Sequence, residues 1–179
     1  VGPFLRNLFA DPAIFPVPRP LGPLLGRLIA AVRTPRVRRR YRRVSPDGAT
    51  PQLAATRQQA ATLASYLNEL GLACIAAVAM RYWRPWPDEA VRELLDRGCT
   101  QFAVIPMYPQ FSSATSGSTL DFVLTAIRKQ APASPVHVVP DWPDLPRFAQ
   151  ALAERAAALI ETWSAAGIAP DRTAVLPVA

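Results

Sequence analysis

The sequence predicts an α/β chain, an open, doubly wound parallel sheet with helices on both faces. Three observations carry this reading. Short apolar runs at 73–79, 102–107, 136–139 and 174–179 have strand length, and the second has the character of a strand buried on both faces. Between them lie stretches with apolar residues at helical spacing, which gives the rhythm strand, helix, strand. The strand ends run into loops rich in aromatic and polar side chains, where open parallel sheets bind their ligands.

The elements follow in order. Pro3, Pro12, Pro16, Pro18 and Pro20 allow only a short amphipathic turn at 4–9, with Phe4, Leu5, Leu8 and Phe9 together on one face. Residues 24–32 read as one helix. Thr34 and Pro35 supply an N-cap and a first-turn proline for a second helix that ends near Arg43. Turn residues occupy 44–49, and Thr50 with Pro51 opens a helix whose face is Leu53, Ala60, Leu63, Leu67 and Leu70, stopped by Gly71. Strand 73–79 leads into the loop RYWRPWP. A helix over 88–97 ends at Gly98 before strand 102–107. Helix 120–130, strand 136–139, a long helix through Phe148, Leu152, Leu159, Ile160 and Trp163 ending at Gly167, and strand 174–179 complete the chain. No internal repeat or low-complexity linker divides it, so residues 1–179 read as one domain.

Half of the 179 residues are hydrophobic, which excludes disorder by composition and allows a substantial core. No apolar run approaches the roughly eighteen residues of a membrane span, and the start has no signal-peptide pattern, so a soluble cytoplasmic protein is expected. Cys74 and Cys99, far apart, read as core thiols rather than a disulfide or metal pair. His137 is the single histidine, mid-strand in VHVV without a neighbouring carboxylate, and reads as structural rather than as a ligand. The net charge of +7 is dominated by arginine, with eight arginines between Arg27 and Arg43 interleaved with Leu28, Ile29, Val32 and Val37. That segment is a solvated helix face, a phosphate or anionic-membrane surface, or a set of forks for carboxylates.

The stretch FAVIPMYPQFSSATSGSTL at 102–120 turns from an apolar run into an aromatic, amide and hydroxyl-rich loop that opens a helix. Tyr108, Gln110, Ser112, Ser113 and Thr115 then sit at a site mouth. The plain alternative is that these are turn and cap residues. An anion cradle is a further alternative, although no G-x-x-x-x-G-K-[ST] is present. Arg81, Tyr82 and Trp83 follow the first strand, and Asp141 and Trp142 follow the third. Indole and phenol faces beside an arginine fork suit a flat, largely apolar ligand with a polar edge.

YPQFSSATSGST resembles the ferrochelatase segment Y-P-Q-[YF]-S-x-[SA]-T-[TS]-G-S-[ST]. PFLRNLFAD at 3–11, TPQLAATRQQ at 50–59 and MRYWRPW at 80–86 resemble the same family in the same order. The turn at 44–49 departs from the family's I-G-G-x-S-P by two added residues, with Thr50-Pro51 in place of Ser-Pro. The resemblance implies a chelatase-like fold and one incomplete N-terminal domain, lacking the first strand and everything from the catalytic histidine onward. That histidine, in a pattern like F-S-x-H-G, is expected just after Ala179, so no catalytic residue and no metal ligand is assigned within the chain. The implied activity is insertion of ferrous iron into a porphyrin, protoporphyrin IX or coproporphyrin III, in heme biosynthesis. Iron and porphyrin are substrates, and no cofactor is bound permanently. The implied porphyrin wall comprises Arg40, Tyr41, Thr50, Arg81, Tyr82, Trp83, Tyr108, Gln110, Ser112, Thr115 and Thr119, with Arg40 and Tyr41 toward the propionates. Phe4 to Phe9 corresponds to an apolar lip over the macrocycle. Implied partners are the C-terminal domain of the same enzyme and a peripheral contact with the inner face of the membrane, with no nucleic acid. The fragment alone is expected to be inactive. Competing readings are a tetrapyrrole-binding module without catalysis and an arginine-rich module for anionic surfaces.

Overall fold

The computed structural model describes residues 1–17, 21–45 and 50–168. Its elements are α1 (Gly2–Ala10), α2 (Gly22–Val44), α3 (Pro51–Glu69), α4 (Pro87–Asp96), β1 (Phe102–Val104), α5 (Ser118–Gln130), β2 (Val136–Val138) and α6 (Pro146–Ala165), with a π-helical turn at Ser113–Gly117 leading into α5. The chain divides into two compact units, Val1–Asp141 and Trp142–Ala179.

In the first unit the core forms where the apolar stripes of α4 and α5 meet a two-stranded sheet. Val91, Phe102, Ala126, Ile127 and Ala131 are buried together, with Leu94, Leu95, Val104, Val123 and Val136 packed against them. β1 and β2 run parallel, with Phe102 opposite Val136, Ala103 opposite His137 and Val104 opposite Val138. A helix between parallel neighbours is the connection such a pair requires, and α5 provides it. Gln130 Nε2 donates to the Asp88 carbonyl at 3.2 Å, tying the end of α5 to the start of α4.

α1 and α2 pack as an antiparallel pair that small residues allow to approach closely. Gly22, Gly26 and Ala30 recur every fourth residue on the buried side of α2. A Cβ on Gly26 would stand 3.1 Å from the Ala10 nitrogen and 3.1 Å from the Phe9 carbonyl carbon, so only glycine fits there without backbone movement. Leu24, Leu28 and Val32, also four apart, lie on the outer side and are exposed.

The expected helices are present with two changes. The break expected at Thr34-Pro35 does not occur, because α2 runs through Pro35 to Val44 as one helix. Thr34 Oγ1 turns back to donate to the Ala30 carbonyl at 2.5 Å instead of capping a new helix. The turn at 4–9 is a full helix of nine residues. Gly71, Gly98 and Gly167 take the left-handed φ of +82° at the helix stops where the sequence placed them.

The strands need more correction. Residues 73–79 join no ladder among the described residues. The Asn68 side chain takes the hydrogen bonds of Cys74, donating to its carbonyl at 2.8 Å and accepting from its N–H at 3.1 Å. β1 ends at Val104, with Pro106 two residues further on lacking the donor a longer ladder needs. Phe102 and Pro106 are buried whereas Ala103, Ile105 and Met107 are exposed, so this stretch is covered on one face and not on both. β2 stops at Val138, although the Val139 N–H still donates to the Val104 carbonyl at 3.0 Å. The expected strand 174–179 lies outside the described residues. Cys74 and Cys99 are half-buried free thiols rather than core residues, and His137 is mid-strand but exposed.

The second unit carries α6, in which no residue is buried. Trp142 meets Phe148 edge-on at 5.2 Å between ring centroids, which holds the entry loop to the first turn of the helix.

Candidate functional site

The chemistry concentrates where the loop after residue 80 meets the ends of α1 and α5. Met80 N–H donates to the Pro85 carbonyl at 2.8 Å, closing the loop that carries Arg81, Tyr82 and Trp83. Arg81 points inward, with its side chain only 7% exposed. Its Nη2 donates to Asp11 Oδ2 at 2.5 Å, and its Nη1 donates to the Ala114 carbonyl at 2.7 Å and to Ser118 Oγ. The guanidinium stands 4.8 Å from the Tyr82 ring centroid and 5.7 Å from that of Phe122, within cation–π range of both. Its Nε is buried and has no hydrogen-bond partner among the described residues.

Asp11 is the counter-charge, 8% exposed at its side chain. It caps α1, its N–H donating to the Leu8 carbonyl, and its Oδ1 accepts from the Ala13 N–H at 2.9 Å. Oδ2 accepts from both Arg81 and the Tyr82 hydroxyl, the latter at 3.0 Å. Tyr82 is held further by Asn7 Nδ2, which donates to its carbonyl at 3.0 Å, and by the edge-on ring of Phe4 at 6.0 Å. Burial pushes the Tyr82 phenol well above its ordinary range. Arg81 pulls it down, while Asp11 and the nearby Tyr108 add to the rise. Tyr82 is thus a neutral hydrogen-bonding phenol at physiological pH.

The hydroxyl-rich loop supplies the third side. Ser112 is the extended residue before the π-helical turn, and its carbonyl accepts from the N–H groups of Thr115 and Gly117. Ser116 is fully buried and donates to the Gln110 carbonyl at 3.3 Å. Ser118, the first residue of α5, donates to the Ala114 carbonyl at 3.0 Å while accepting from Arg81. A Cβ on Gly117 would lie 3.3 Å from Phe111 Cζ, so glycine lets that ring lie against the turn. Trp83, Tyr108, Phe111 and Phe122 stay about half exposed at the borders of this cluster.

Of the residues expected to line the site, the structure joins Arg81 and Tyr82 directly and places Tyr108 close enough to Tyr82 to act on its ionisation. Trp83 is exposed beside them. Gln110 and Ser112 act through their carbonyls in the turn, Thr115 through its backbone, and Thr119 is half-buried in the first turn of α5. Arg40 is exposed and Tyr41 half-buried near the end of α2, and Thr50 precedes α3 as its extended N-cap without a side-chain cap bond. Among the described residues no hydrogen bond or ion pair joins these three to the cluster. Sequence reasoning missed Asp11, Ser118 and Phe122. Asp11 left one signal, an acidic side chain at the end of an apolar turn in an arginine-rich chain.

Among the described residues no three of His, Cys, Asp and Glu are grouped to hold a metal, and no helix is long and apolar enough to cross a membrane.

An α/β chain with a buried arginine locked between a carboxylate and a hydroxyl-rich turn, and bordered by half-exposed aromatics, defines the class. Comparison with known proteins gives the family. The ferrochelatase family model matches residues 1–176. The chain is 40% identical over 162 residues to the ferrochelatase of Synechococcus sp. (strain CC9605), covering 88% of this chain and 41% of that protein. It is 42% identical over 124 residues to the ferrochelatase of Hyphomonas neptunium (strain ATCC 15444), covering 67% and 34%, and 38% identical over 157 residues to that of Synechococcus sp. (strain CC9311), covering 86% and 40%. The chain belongs to the ferrochelatase family, and it spans about 40% of the length of these Synechococcus relatives.

Proposed function

We propose that this chain forms the porphyrin-binding wall of a ferrochelatase, which inserts ferrous iron into protoporphyrin IX or coproporphyrin III in heme biosynthesis. Iron and porphyrin are both substrates. The reaction exchanges two pyrrole protons for one ferrous ion, so it needs a wall that holds and shapes the ring, a proton acceptor and a route for the metal. The single observation that supports the wall role is the Arg81 cluster, a buried cation fixed behind half-exposed aromatic rings. Trp83, Tyr108, Phe111 and Phe122 offer faces for a flat apolar ring. Gln110, Ser112, Thr115 and Thr119 supply polar groups along the loop. Arg40 and Tyr41 are assigned to the propionate side, where a guanidinium pairs well with a carboxylate, and Thr50 to the wall. Tyr82, committed as a donor to Asp11, serves as a neutral hydrogen-bonding group and not as the proton acceptor.

The same reading assigns β1 and β2 to an open, doubly wound sheet and residues 1–179 to one N-terminal ferrochelatase domain. It places the protein in the cytoplasm. Peripheral contact with an anionic membrane face is a second proposal, supported by α2, where exposed Leu24, Leu28 and Val32 continue into exposed Arg36, Arg38, Arg39, Arg40, Arg42 and Arg43.

The test is titration of the chain with protoporphyrin IX and coproporphyrin III, followed by Soret absorbance and quenching of tryptophan fluorescence, at low and high salt. Saturable binding that survives high salt supports the wall. Binding that collapses with salt, as phosphate-driven association does, supports the arginine-rich surface reading instead.

A further inference from the structure

We infer that Asp11 is the positioning residue of the site, holding Arg81 and Tyr82 in one arrangement and joining both to the end of α1. The inference deepens the porphyrin-wall reading and rests on it for the ligand, although its geometry stands without a ligand. One buried carboxylate serves two structures. Oδ1 accepts from the Ala13 N–H at 2.9 Å and so shapes the turn after α1, while Oδ2 is shared by Arg81 Nη2 and the Tyr82 hydroxyl. Asn7 and Phe4, on the same helix, grip Tyr82 at its carbonyl and its ring. Arg81 then carries the constraint across to the Ala114 carbonyl and Ser118 at the start of α5.

With Asp11, Ala114 and Ser118 engaged, the hydrogen bonds of Arg81 use Nη1 and Nη2 and leave Nε–H unpartnered. Three charged or titratable groups bear on the Tyr82 phenol, namely Arg81, Asp11 and Tyr108. Of these only Asp11 accepts its proton in a hydrogen bond. Losing the Asp11 charge frees Arg81 Nη2, leaving the guanidinium held through Nη1 alone, and removes a charge that adds to the burial-driven rise of the Tyr82 phenol. Asp11 contacts the ligand in neither step, so its effect on a ligand is transmitted through Arg81 and Tyr82.

The test uses Asp11→Asn, which keeps the shape and removes the charge, in the full chain. Phenolate absorbance is followed with pH, and Tyr82→Phe identifies which of the four tyrosines is Tyr82. In the parent, Tyr82 ionises above the ordinary tyrosine range. In Asp11→Asn with helical circular dichroism retained, its midpoint falls by about one pH unit or more, the scale of losing a neighbouring charge, and the dissociation constant for protoporphyrin IX rises about tenfold through lost orientation. An unchanged Tyr82 midpoint, or a shifted midpoint with unchanged porphyrin affinity, overturns the inference. If the parent binds no porphyrin while the midpoint still shifts, the positioning role stands and the porphyrin reading falls. A second measurement needs no variant. In the parent, nitrogen-15 spectra should show the Arg81 Nε–H exchanging slowly while surface arginines exchange fast, and fast exchange at Arg81 overturns the inference even if Asp11→Asn fails to fold.

Discussion

At the scale of single residues, the decisive quantity is the cost of separating a buried pair. Arg81 and Asp11 are 7% and 8% exposed at their side chains, so removing one charge strands the other where water cannot compensate it. Arg81→Met is expected to lower unfolding free energy by about 3–5 kcal/mol, measured by urea denaturation. Adding Asp11→Asn to Arg81→Met should recover part of that loss, because no lone charge then stays buried. Tyr82 gives a pH signature. Its folded-state phenol holds its proton where the unfolded phenol, near pH 10, releases it. The unfolded state therefore binds fewer protons above about pH 10, and stability should fall as pH rises from there, while Tyr82→Phe removes that contribution. A stability curve equally steep in Tyr82→Phe would sink the assignment. Arg81 and Tyr82 were legible in the sequence because they follow an apolar run in an aromatic loop. Asp11 was visible only as the last residue of a family-like segment, and its role was not legible because its partner lies seventy positions away.

At the scale of elements, helices were easier to read than strands for a physical reason. A helix satisfies its backbone within one segment, so periodicity and a stop glycine suffice, and Gly71, Gly98 and Gly167 all take the conformation their position demanded. A strand depends on a partner elsewhere. Residues 73–79 have strand composition, yet a single asparagine side chain takes both backbone bonds of Cys74. Pro35 misled in the other direction, because tertiary packing along Gly22, Gly26 and Ala30 carries α2 past a residue that usually starts or ends a helix. Two substitutions on α2 should therefore behave oppositely. Pro35→Ala restores a backbone donor in an exposed helix interior and should raise stability by about 1–3 kcal/mol. Gly26→Ala gains about 1 kcal/mol of helix propensity but drives a methyl into the backbone of Phe9 and Ala10, and overpacking of that kind costs about 1–3 kcal/mol. A net loss in the thermal melt is expected, and a gain would show that α1 yields freely.

At the scale of the whole molecule, burial is unevenly distributed. Ala126 and Ile127 of α5 are almost fully enclosed, whereas α6 has no buried residue. Amide hydrogens in α5 should accordingly exchange at least about a hundredfold more slowly than those in α6, a difference of roughly 3 kcal/mol in opening free energy. Mass spectrometry of exchanged peptides reads this directly, and equal protection would contradict it. The family was legible from four ordered segments, but the linkage between the α1 turn and the loop at Arg81 belongs to the folded chain.

The arginines of α2 have a practical consequence at the bench. Arg36, Arg38, Arg39, Arg40, Arg42 and Arg43 stand in solvent within two turns of one another, so the protein should cling to phosphocellulose and heparin resins and carry stray RNA through purification. Tetrapyrroles bear carboxylates as well, and in dilute buffer they would adhere to that rod as they would to a cation-exchange bead. Isotherms recorded without added electrolyte would then count beads rather than the proposed wall sites, and would be expected to give stoichiometries above one per chain.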